Sequence, residues 1–441
     1  MNFNFTEFVN LLKEYVGHKS VSTDRAFMDG INATVTFLRS LFESHGFTVS
    51  ILQGPNTNPV VFARYHQSDT MKTKLIYGHY DVQPALLESG WKADPFVLRE
   101  ENKRLIGRGV MDNKAQNLIH IFTALKLIKN GNLGCNLKFL IEGNEETQNP
   151  DMAELVRKHA DELKCDEIII SDGEILGDTP CVEESLRGGG NITLTFKTAK
   201  NNLHSGVYGS GIPNSAKEMA TFLTKMLSTD GTVNIDGFYD SVDPISPEKF
   251  AKNKAMLEIN NPLEVTGAKK TIGIHDFHTM VGVWPAIEIS GLLSGYTGEG
   301  YSNIIPAETM AKINVRLVAS QNIESFEKMF REYVEKNAPD TVDYTISMSK
   351  FSPPVKVDVS SPEIQRIMKH QERIYGKKPI IKNVGGGIPI VADFKEILGI
   401  DAILIPLGCN DSNMHGAEEN MQIDLLQKGL ELSEQMFGNR D

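Results

Sequence analysis

Apolar and polar residues follow two patterns along the first part of the chain. Short, nearly continuous apolar runs, typical of buried strands, occur in FTVSIL, PVVFARY, KLIYGHYD, NLKFLIEG and DEIIISDGE. Stretches with apolar residues at helical spacing lie among them, at about 25–45, in NKAQNLIHIFTALKLIKNG and near 151–163. Strands that alternate with helices in this way predict an α/β domain with a mixed, largely parallel central sheet.

The middle of the chain has a different pattern. A strand of alternating character in GGGNITLTFKTA precedes a helix in NSAKEMATFLTKML and a loop-rich stretch from about 229 to 300. A strand, a helix and a strand follow in TMAKINVRLV, IESFEKMFREYVEK and VDYTISM, before α/β character returns in PEIQRIMKHQERIYG, DAILIPLG and MQIDLLQKGLELSEQMFG. We therefore expect a small α+β domain at 186–355, inserted into a domain built from 1–185 and 356–441.

Composition narrows the class of protein. Hydrophobic residues make up 40% and charged residues 23% of the chain, which is ordinary for a soluble globular protein. A length of 441 residues exceeds the size at which single cores usually stop growing, so two domains are expected. The formal net charge of −12 argues against a nucleic-acid partner, because phosphate binding requires a basic face.

The N-terminal stretch MNFNFTEFVNLLKEYV carries Glu7 and Glu14 among apolar residues at helical spacing, which favours a surface helix over a signal peptide. No apolar run is long enough to cross a bilayer, so we expect no membrane partner. The four cysteines are scattered without a CxxC pair, as is typical of reduced thiols. These features predict a cytoplasmic protein.

Residues able to bind a metal ion follow several of the predicted strands. In open α/β sheets the carboxyl ends of the strands converge on a crevice where ligands bind, and a loop before a helix can face the same crevice. The residues that share this placement are His79 and Asp81 after KLIYG, Asp112 in GRGVMDNK, Glu145 and Glu146 after KFLIEGN, Asp172 after EIIIS, and His415 after DAILIPLG. We therefore expect one group of these side chains to meet in space, namely His79, Asp112, Glu145, Glu146, Asp172 and His415.

Each signal has an ordinary structural interpretation when taken alone. A single histidine at a strand end is more often a hydrogen-bonded structural residue than a ligand, and SDGE alone is typical of a turn. The pair Glu145 and Glu146 is typical of a solvated turn unless a cation lies between them. HxD motifs are common by chance, although an aspartate such as Asp81 can hold a ligating imidazole in its correct tautomer.

Other catalytic motifs are absent from the sequence. It contains no HExxH or HxxEH metalloprotease pattern, no GxSxG nucleophile elbow and no GxxxxGK[ST] loop. The glycine triplets at 188–190 and 385–387 do not fit GxGxxG, so neither predicts a phosphate site by itself.

Six segments, taken in order over nearly the whole chain, carry a resemblance. YGHYDVQP, GRGVMDNK, EGNEE, SDGE, NLHSG and MHGAEEN together resemble the M20 family of co-catalytic zinc peptidases, and their spacing is closest to its dipeptidase branch of carnosinases and cytosolic nonspecific dipeptidases. The resemblance implies a zinc-peptidase-like catalytic domain at 1–185 and 356–441 and a lid and dimerisation domain at 186–355. It predicts a dipeptidase acting on short unblocked peptides.

The resemblance also implies two metal ions per chain. His79 and Asp172 would hold one ion, Glu146 and His415 would hold the other, and Asp112 would bridge them. Two divalent cations balance three carboxylates and one bridging hydroxide, so the buried site is neutral overall. Imidazole and carboxylate ligands suit Zn²⁺, with Mn²⁺ or Co²⁺ as substitutes.

Catalytic roles follow from the same resemblance. Glu145 would act as general base, taking a proton from the metal-bridging water and passing it to the leaving amine. Its neighbour Glu146 would be a ligand, because base and metal must both contact that water. Asp81 would orient His79, and His204 in NLHSG would reach into the partner subunit of a homodimer and stabilise the oxyanion.

A substrate subsite is implied as well. Arg316 in KINVRLV would clamp the substrate's C-terminal carboxylate, and Asn303 in YSNIIP is a candidate for the same subsite. Without the resemblance, His204 and Arg316 are interpreted as a capping histidine and a surface arginine. NVGGGIPI departs from the usual acidic residue followed by GGS, so Val384 and Gly387 lack side-chain contacts there, although Gly387 still offers its backbone N–H.

Two alternative functions remain open. An N-acyl amino-acid deacylase or desuccinylase of the same family shares the whole metal constellation. A non-catalytic relative serving as a metal-binding scaffold should have lost ligands or the base, whereas every one of these positions is filled here. Asn113 follows Asp112 where many members carry a second aspartate, a departure with little weight.

Overall fold

The computed structural model describes residues 4–439. Its strands, numbered in chain order, are β1 Thr48–Leu52, β2 Val60–Tyr65, β3 Thr73–His79, β4 Arg99–Glu101, β5 Arg104–Ile106, β6 Asn136–Glu142, β7 Glu167–Ile170, β8 Cys181–Leu186, β9 Gly188–Lys197, β10 Leu203–His204, β11 Ala286–Ser294, β12 Ile304–Ile305, β13 Glu308–Leu317, β14 Asp343–Met348, β15 Val355–Lys356, β16 Ile380–Val384, β17 Ala402–Leu404 and β18 Asn420–Gln422. Its α-helices are α1 Phe5–Gly17, α2 Met28–Glu43, α3 Lys114–Lys129, α4 Met152–Lys158, α5 Ala160–Leu163, α6 Ser205–Tyr208, α7 Ser215–Met226, α8 Pro247–Met256, α9 Pro262–Thr266, α10 Phe277–Val283, α11 Ile323–Asn337, α12 Pro362–Tyr375, α13 Pro389–Leu398 and α14 Ile423–Phe437. Within residues 4–439, no helix combines the length and the apolar character needed to cross a bilayer.

The chain forms two compact units. The first runs up to Glu184 and includes Val357–Lys382 and the chain from Ile390 onward, and the second contains Ser185–Lys356 and Asn383–Pro389. Residues 383–389 therefore group with the second unit and not with the predicted domain at 356–441. The reason is a set of contacts inside the second unit, where the Arg187 N–H donates to Val384 O at 3.1 Å and Asn383 Nδ2 donates to Ser185 Oγ at 2.6 Å.

The first unit is built around a mixed sheet with the strand order β1-β2-β6-β3-β7-β17-β8. The central pairs β6–β3, β3–β7 and β7–β17 are parallel, whereas β1–β2, β2–β6 and β17–β8 are antiparallel. The predicted mixed sheet with a parallel centre is confirmed. Because parallel strands end at the same edge, the loops after β3, β6, β7 and β17 meet there.

Helix α3 is the central helix of this unit. It packs against α1 and α14 and is buried on nearly every face, with polar residues as well as apolar ones inside. Phe122 of α3 meets the ring of Phe8 edge-on, with centroids 5.6 Å apart. The polar residues of its first turn, Asn113, Gln116 and Asn117, are buried and hydrogen-bonded, so the start of α3 is anchored among the strand-end loops.

The second unit contains a four-stranded antiparallel sheet in the order β11-β13-β9-β14. Alternate residues of β13, such as Val315, join a core with α7 and α11, so Arg316 lies on the opposite face of the sheet. The glycine triplet at 188–190 opens β9. A Cβ at Gly189, whose φ is +146°, would lie 1.9 Å from Val315 O, so these glycines serve close strand packing.

The stretch from about 229 to 300 is more regular than predicted, since it contains α8, α9, α10 and β11. The three helices are short, and β11 is interrupted by a bulge between Ile289 and Gly291. Short helices and a bulged strand do not give a sustained hydrophobic period, so the sequence pattern did not predict them. The helix predicted near 151–163 is divided into α4 and α5.

Candidate metal centre

Four neighbouring strands deliver five of the candidate residues to one edge of the central sheet. His79 is the last residue of β3, and Asp172 lies two residues after β7. Glu145 and Glu146 begin a 3-10 turn, Glu145–Thr147, that follows β6, and His415 lies in the loop after β17. The expectation from the strand-end pattern was that these side chains meet, and the structure brings them together.

Asp112, in the loop before α3, lies between the two imidazoles. Its Oδ1 is 2.9 Å from His79 Nε2, and its Oδ2 is 2.9 Å from His415 Nε2. Asp172 Oδ2 is 3.6 Å from His79 Nε2, and Glu146 Oε2 is 3.2 Å from His415 Nε2. The ligand atoms of each histidine, its acidic neighbour and Asp112 all lie within 4.8 Å of one another. The site thus consists of two three-residue groups that share Asp112.

The acidic side chains of the centre repel one another. Burial raises the pKa of Glu145 well above its usual value, and the carboxylates of Asp172 and Asp112 add to this increase. Burial likewise raises the pKa of Asp172 and of Glu146. Placing four carboxylates together in a buried site is unfavourable unless positive charge accompanies them.

The same carboxylates stabilise the protonated form of the two histidines. Burial opposes the protonation of His79, but the carboxylates of Asp172 and Asp112 outweigh it and raise its pKa well above the usual value. Hydrogen bonds to Asp112 and Glu146 raise the pKa of His415 to about 10. Burial also works against the charge of Asp112, yet its hydrogen bonds with the two histidines hold its pKa below the usual range. The carboxylates of the centre therefore favour positive charge at both imidazoles.

The donor set fits divalent metal ions. Each three-residue group offers one imidazole nitrogen and two carboxylates, which is a combination that suits Zn²⁺ and related first-row ions. Two such ions would bring four positive charges to the four buried carboxylates. Glu145 belongs to neither group, although its carboxylate lies near both.

Asp81 is fully buried and connects His79 to the turn that carries both glutamates. Its backbone carbonyl lies 3.0 Å from His79 Nδ1, and its Oδ1 lies 3.3 Å from the same nitrogen. Its carboxylate also accepts the backbone N–H groups of Glu145 and Glu146, each at 3.2 Å. A ring that donates through Nδ1 turns an unprotonated Nε2 toward Asp112 and Asp172, so Asp81 holds the His79 ring and the turn of the two glutamates together.

Asn113 and Gln83, for which the sequence pattern predicted no site role, hold two of the acidic side chains of the centre. Asn113 Nδ2 donates to Asp172 Oδ1 at 3.0 Å and to Ser171 O at 2.7 Å, and the Asp112–Asn113 peptide bond is cis. An ionised aspartate at position 113 has no N–H to donate in this way. Gln83 Nε2 donates to Glu146 Oε2 at 2.6 Å, and Gln83 stands within the quoted motif YGHYDVQP.

Sequence reasoning also missed a buried ion pair. Glu419 accepts hydrogen bonds from the backbone N–H groups of Gly109, Met111 and Asp112 at 2.8–3.0 Å, and from Arg108 Nη1 at 2.8 Å. Arg108 also donates to the carbonyl of His415 at 3.3 Å. The pair joins the loop before α3 to the loop of His415. The motif MHGAEEN contains Glu419, but nothing in the sequence distinguishes it from the adjacent Glu418.

The loop of His415 contains left-handed backbone conformations, which residues other than glycine rarely adopt. His415 has a φ of +61°, and Asn413 and Glu418 have φ values of +55° and +60°. Left-handed residues other than glycine are uncommon, and such strain concentrates at functional sites.

The second unit contains the remaining candidates. His204 ends β10 and is exposed, and its Nδ1 accepts the Gly206 N–H at 3.1 Å. The neutral ring therefore carries its proton on Nε2. Asn303 precedes β12, which pairs with β10, and its carbonyl accepts the Ser205 N–H at 2.9 Å. His204 and Asn303 thus lie beside each other.

Arg316 is half-buried on β13, where its Nε donates to Asn314 Oδ1 at 3.1 Å. A Cβ at Gly387 would lie 2.6 Å from Arg187 O, so this position has no room for the serine of the usual GGS without a backbone shift.

The chain is similar to metallopeptidases in both sequence and fold. The Cys-Gly metallodipeptidase dug1 of Schizosaccharomyces pombe is 29% identical over 452 residues, covering 97% of this chain and 94% of that protein. The human Beta-Ala-His dipeptidase is 27% identical over 448 residues, covering 94% and 86%. Among solved structures, the M20 family metallo-carboxypeptidase Sso-CP2 from Sulfolobus solfataricus superposes with a TM-score of 0.87 at 27% identity, covering 98% of each chain.

A family model supports the same conclusion. The model described as peptidase family M20/M25/M40 matches residues 75–439, a range that includes the whole metal centre and the second unit. Together with the shared fold of Sso-CP2, this match shows that the chain belongs to the M20/M25/M40 family of metallopeptidases.

Proposed function

We propose that the chain is a di-metal dipeptidase that hydrolyses the peptide bond of short, unblocked peptides. The observation that carries the proposal is the pair of ligand groups that share Asp112, with Glu145 beside them and outside both groups. Relatives similar over nearly their full lengths are named as dipeptidases, which supports the substrate class.

We assign His79, Asp112 and Asp172 to one ion and Asp112, Glu146 and His415 to the other. Zn²⁺ is the proposed metal, and the same donors accommodate Mn²⁺ or Co²⁺. When bound, two divalent cations supply a Lewis acid for the peptide carbonyl and lower the pKa of water. The protein's part is to hold the ligands in place through Asp81, Asn113 and Gln83.

Glu145 is the proposed general base. Its carboxylate takes a proton from the attacking water and passes it to the leaving amine, which departs neutral. Burial and neighbouring carboxylates raise its pKa, whereas bound cations would act in the opposite direction. Asp81 holds the Glu145 backbone and thereby the direction of its side chain.

Recognition of the peptide is assigned to the second unit. Arg316 clamps the C-terminal carboxylate with its guanidinium, and Asn303 and the backbone N–H of Gly387 contribute to the same subsite. Arg316 suits this task because one hydrogen bond to Asn314 fixes its Nε, while its terminal nitrogens make no hydrogen bond within residues 4–439.

His204 is proposed to stabilise the oxyanion in the active site of the partner subunit of a homodimer. Its exposed Nε2–H is a donor, and the hydrogen bond from Gly206 to Nδ1 fixes that tautomer. Edge strand β11 offers a surface for self-association, since Leu292 and Leu293 are 56% and 57% exposed there. Exposed apolar edge strands are templates for pairing with another chain.

A cytoplasmic location is proposed from the thiols. Cys135, Cys165, Cys181 and Cys409 are all free, and a reducing compartment keeps scattered cysteines in that state.

The proposal is tested by hydrolysis of a substrate panel. Metal-stripped protein is assayed with Zn²⁺ or Mn²⁺ added back, on Ala-Ala, Leu-Gly and β-Ala-His beside N-acetyl and N-succinyl amino acids. Cleavage of the free dipeptides, abolished in Glu145→Ala, is the expected result. Cleavage of the N-acyl substrates alone would move the enzyme to the deacylases. Failure to cleave any substrate, with two metals bound, would indicate a binding scaffold.

A further inference from the structure

A cavity of about 440 Å³ lies within the second unit beside Arg316. Arg187, Lys270 and Arg316 are the basic residues among those that line it, and Glu288 is the acidic one. Most of the remaining wall is apolar, formed in part by Leu263, Ile272, Phe277, Met280, Val281 and Pro285. A concave, largely apolar site with a few converging polar groups is typical of a small-molecule subsite.

The guanidinium of Arg187 is fixed by backbone carbonyls. Its Nε donates to Gly385 O at 3.1 Å, and its Nη1 donates to Trp284 O at 3.1 Å and to Met280 O at 3.5 Å. Its Nη2 has no hydrogen-bond acceptor in the part of the chain that the structure describes. Arg187 therefore joins α10 to the 383–389 segment, and the two N–H groups of its Nη2 remain unused.

The two arginines also act on each other. Burial lowers the pKa of Arg187 to about 10, and the positive charge of Arg316 adds to the decrease. Two neighbouring guanidinium groups with unused N–H donors are stabilised by an anion between them, and a carboxylate matches their planar donors.

We propose that this cavity receives the C-terminal residue of the dipeptide and selects a large apolar side chain there. The inference rests on the proposed function, in which Arg316 clamps the carboxylate of that residue, and it adds Arg187 as a second guanidinium facing the same group. A carboxylate and a side chain are attached to one Cα, so the side chain of a residue clamped by Arg316 lies in the space beside Arg316. That space is the apolar cavity.

A C-terminal glycine leaves the cavity unfilled. Leucine or phenylalanine places its side chain against Ile272, Phe277 and Met280 and removes apolar surface from water. We therefore expect the preference to differ from the Cys-Gly activity for which the Schizosaccharomyces pombe relative is named.

The test compares Ala-Gly with Ala-Phe in the metal-loaded, full-length enzyme. Ile272 and Ile274 are 54% and 57% exposed on the same loop, and only Ile272 lines the cavity. Ile272→Asp places a charge in the wall of the subsite, and Ile274→Asp is the matched control. Neither side chain is part of the buried core, so both variants should fold.

We expect wild-type kcat/KM to be at least about tenfold higher for Ala-Phe than for Ala-Gly, in line with the discrimination that apolar pockets provide. Ile272→Asp should reduce this ratio at least about fivefold, whereas Ile274→Asp should retain it. Equal kcat/KM values in the wild type, or equal effects of the two variants, overturn the inference and leave the dipeptidase proposal standing. Failure to cleave either dipeptide overturns the proposed function and the inference with it.

Discussion

The buried carboxylate of Glu419 accepts a hydrogen bond of 3.0 Å from the backbone N–H of Asp112. Glu419 lies four residues after His415, so one side chain connects the loop that carries the shared acidic ligand with the loop that carries a histidine of the second group. Arg108 supplies its countercharge from a buried position. The loops of the centre are therefore joined by a buried ion pair.

We expect Glu419→Gln to lower the free energy of unfolding of the metal-free protein by about 3–5 kcal/mol, because it leaves Arg108 buried without a countercharge. Two of the four donors that now face the carboxylate would face an amide NH₂ instead. Metal affinity should fall about 10–100-fold, as for other residues that hold metal ligands. Urea unfolding and chelator competition measure the two quantities.

Glu418→Gln is the control for this prediction. Glu418 is 18% exposed and pairs with Arg99 and with Lys92, whose side chain is 71% exposed, so we expect Glu418→Gln to cost less stability than Glu419→Gln. Equal losses in the two variants would show that the buried pair has no special role in the centre.

The strand-end pattern predicted that the side chains of the candidate centre meet, because the pattern depends on local information. His79 and Asp172 each follow an apolar run, and parallel strands end at the same edge of the sheet whichever helices connect them. The pairing of β3 with β7 was not needed to expect that these two side chains meet.

Other parts of the structure depend on contacts between segments far apart in the chain. Glu418 and Glu419 have the same local pattern, yet only Glu419 meets Arg108, 311 residues earlier. Residues 383–389 belong with the second unit because the Arg187 side chain binds the Gly385 carbonyl, 198 residues away. Hydrophobic periodicity carries no information about such pairs.

Variants of the two adjacent glutamates in the turn after β6 should separate loss of turnover from loss of metal binding. Glu145→Ala is expected to retain two metal ions per chain and to lose about 10²–10⁴-fold in kcat, the usual contribution of general acid–base catalysis. Glu146→Ala removes a ligand and should release the ion assigned to His415. The number of metal ions per chain after gel filtration, measured together with kcat, distinguishes the two variants. An active Glu145→Ala enzyme would refute the base assignment.

His120 should make the protein less stable in mild acid. It is buried between the hydroxyls of Ser433 and Ser171, at 3.0 Å and 2.9 Å, and burial lowers its pKa from 6.5 to about 4. Between pH 6.5 and 4 the unfolded chain binds more protons at this site than the folded chain, so stability falls as the pH falls through this window. From pH 7.5 to 5, the contribution lost is about 2 kcal/mol.

His120→Gln removes this titration and serves as the comparison. The variant loses the imidazole contacts at every pH, but its stability deficit relative to the wild type should shrink by about 2 kcal/mol between pH 7.5 and 5. Urea unfolding of the metal-free proteins at several pH values measures the difference in stability between them. The other titrating groups are the same in both proteins, so their contributions cancel. Parallel curves for the two proteins would contradict the prediction.

His204 should act in the active site of the partner subunit. We expect His204→Ala to lower kcat by about 10²-fold or more while the dimer persists in sedimentation, since a single oxyanion donor contributes about 2.7–4 kcal/mol to catalysis. His204→Gln is a useful companion, because its amide N–H can replace part of the donor function that the Nε2–H supplies.

Mixed dimers decide between action in the same subunit and action across the interface. A dimer formed from one Glu145→Ala chain and one His204→Ala chain has one defective chain of each kind. If His204 acts across the interface, one of the two sites combines an intact Glu145 with an intact His204 from its partner, and activity returns to roughly half of the wild-type value per dimer. If His204 acts in its own subunit, each site lacks one of the two groups and no activity returns. Recovery on mixing, measured against each parent variant alone, therefore assigns His204 to one site or the other.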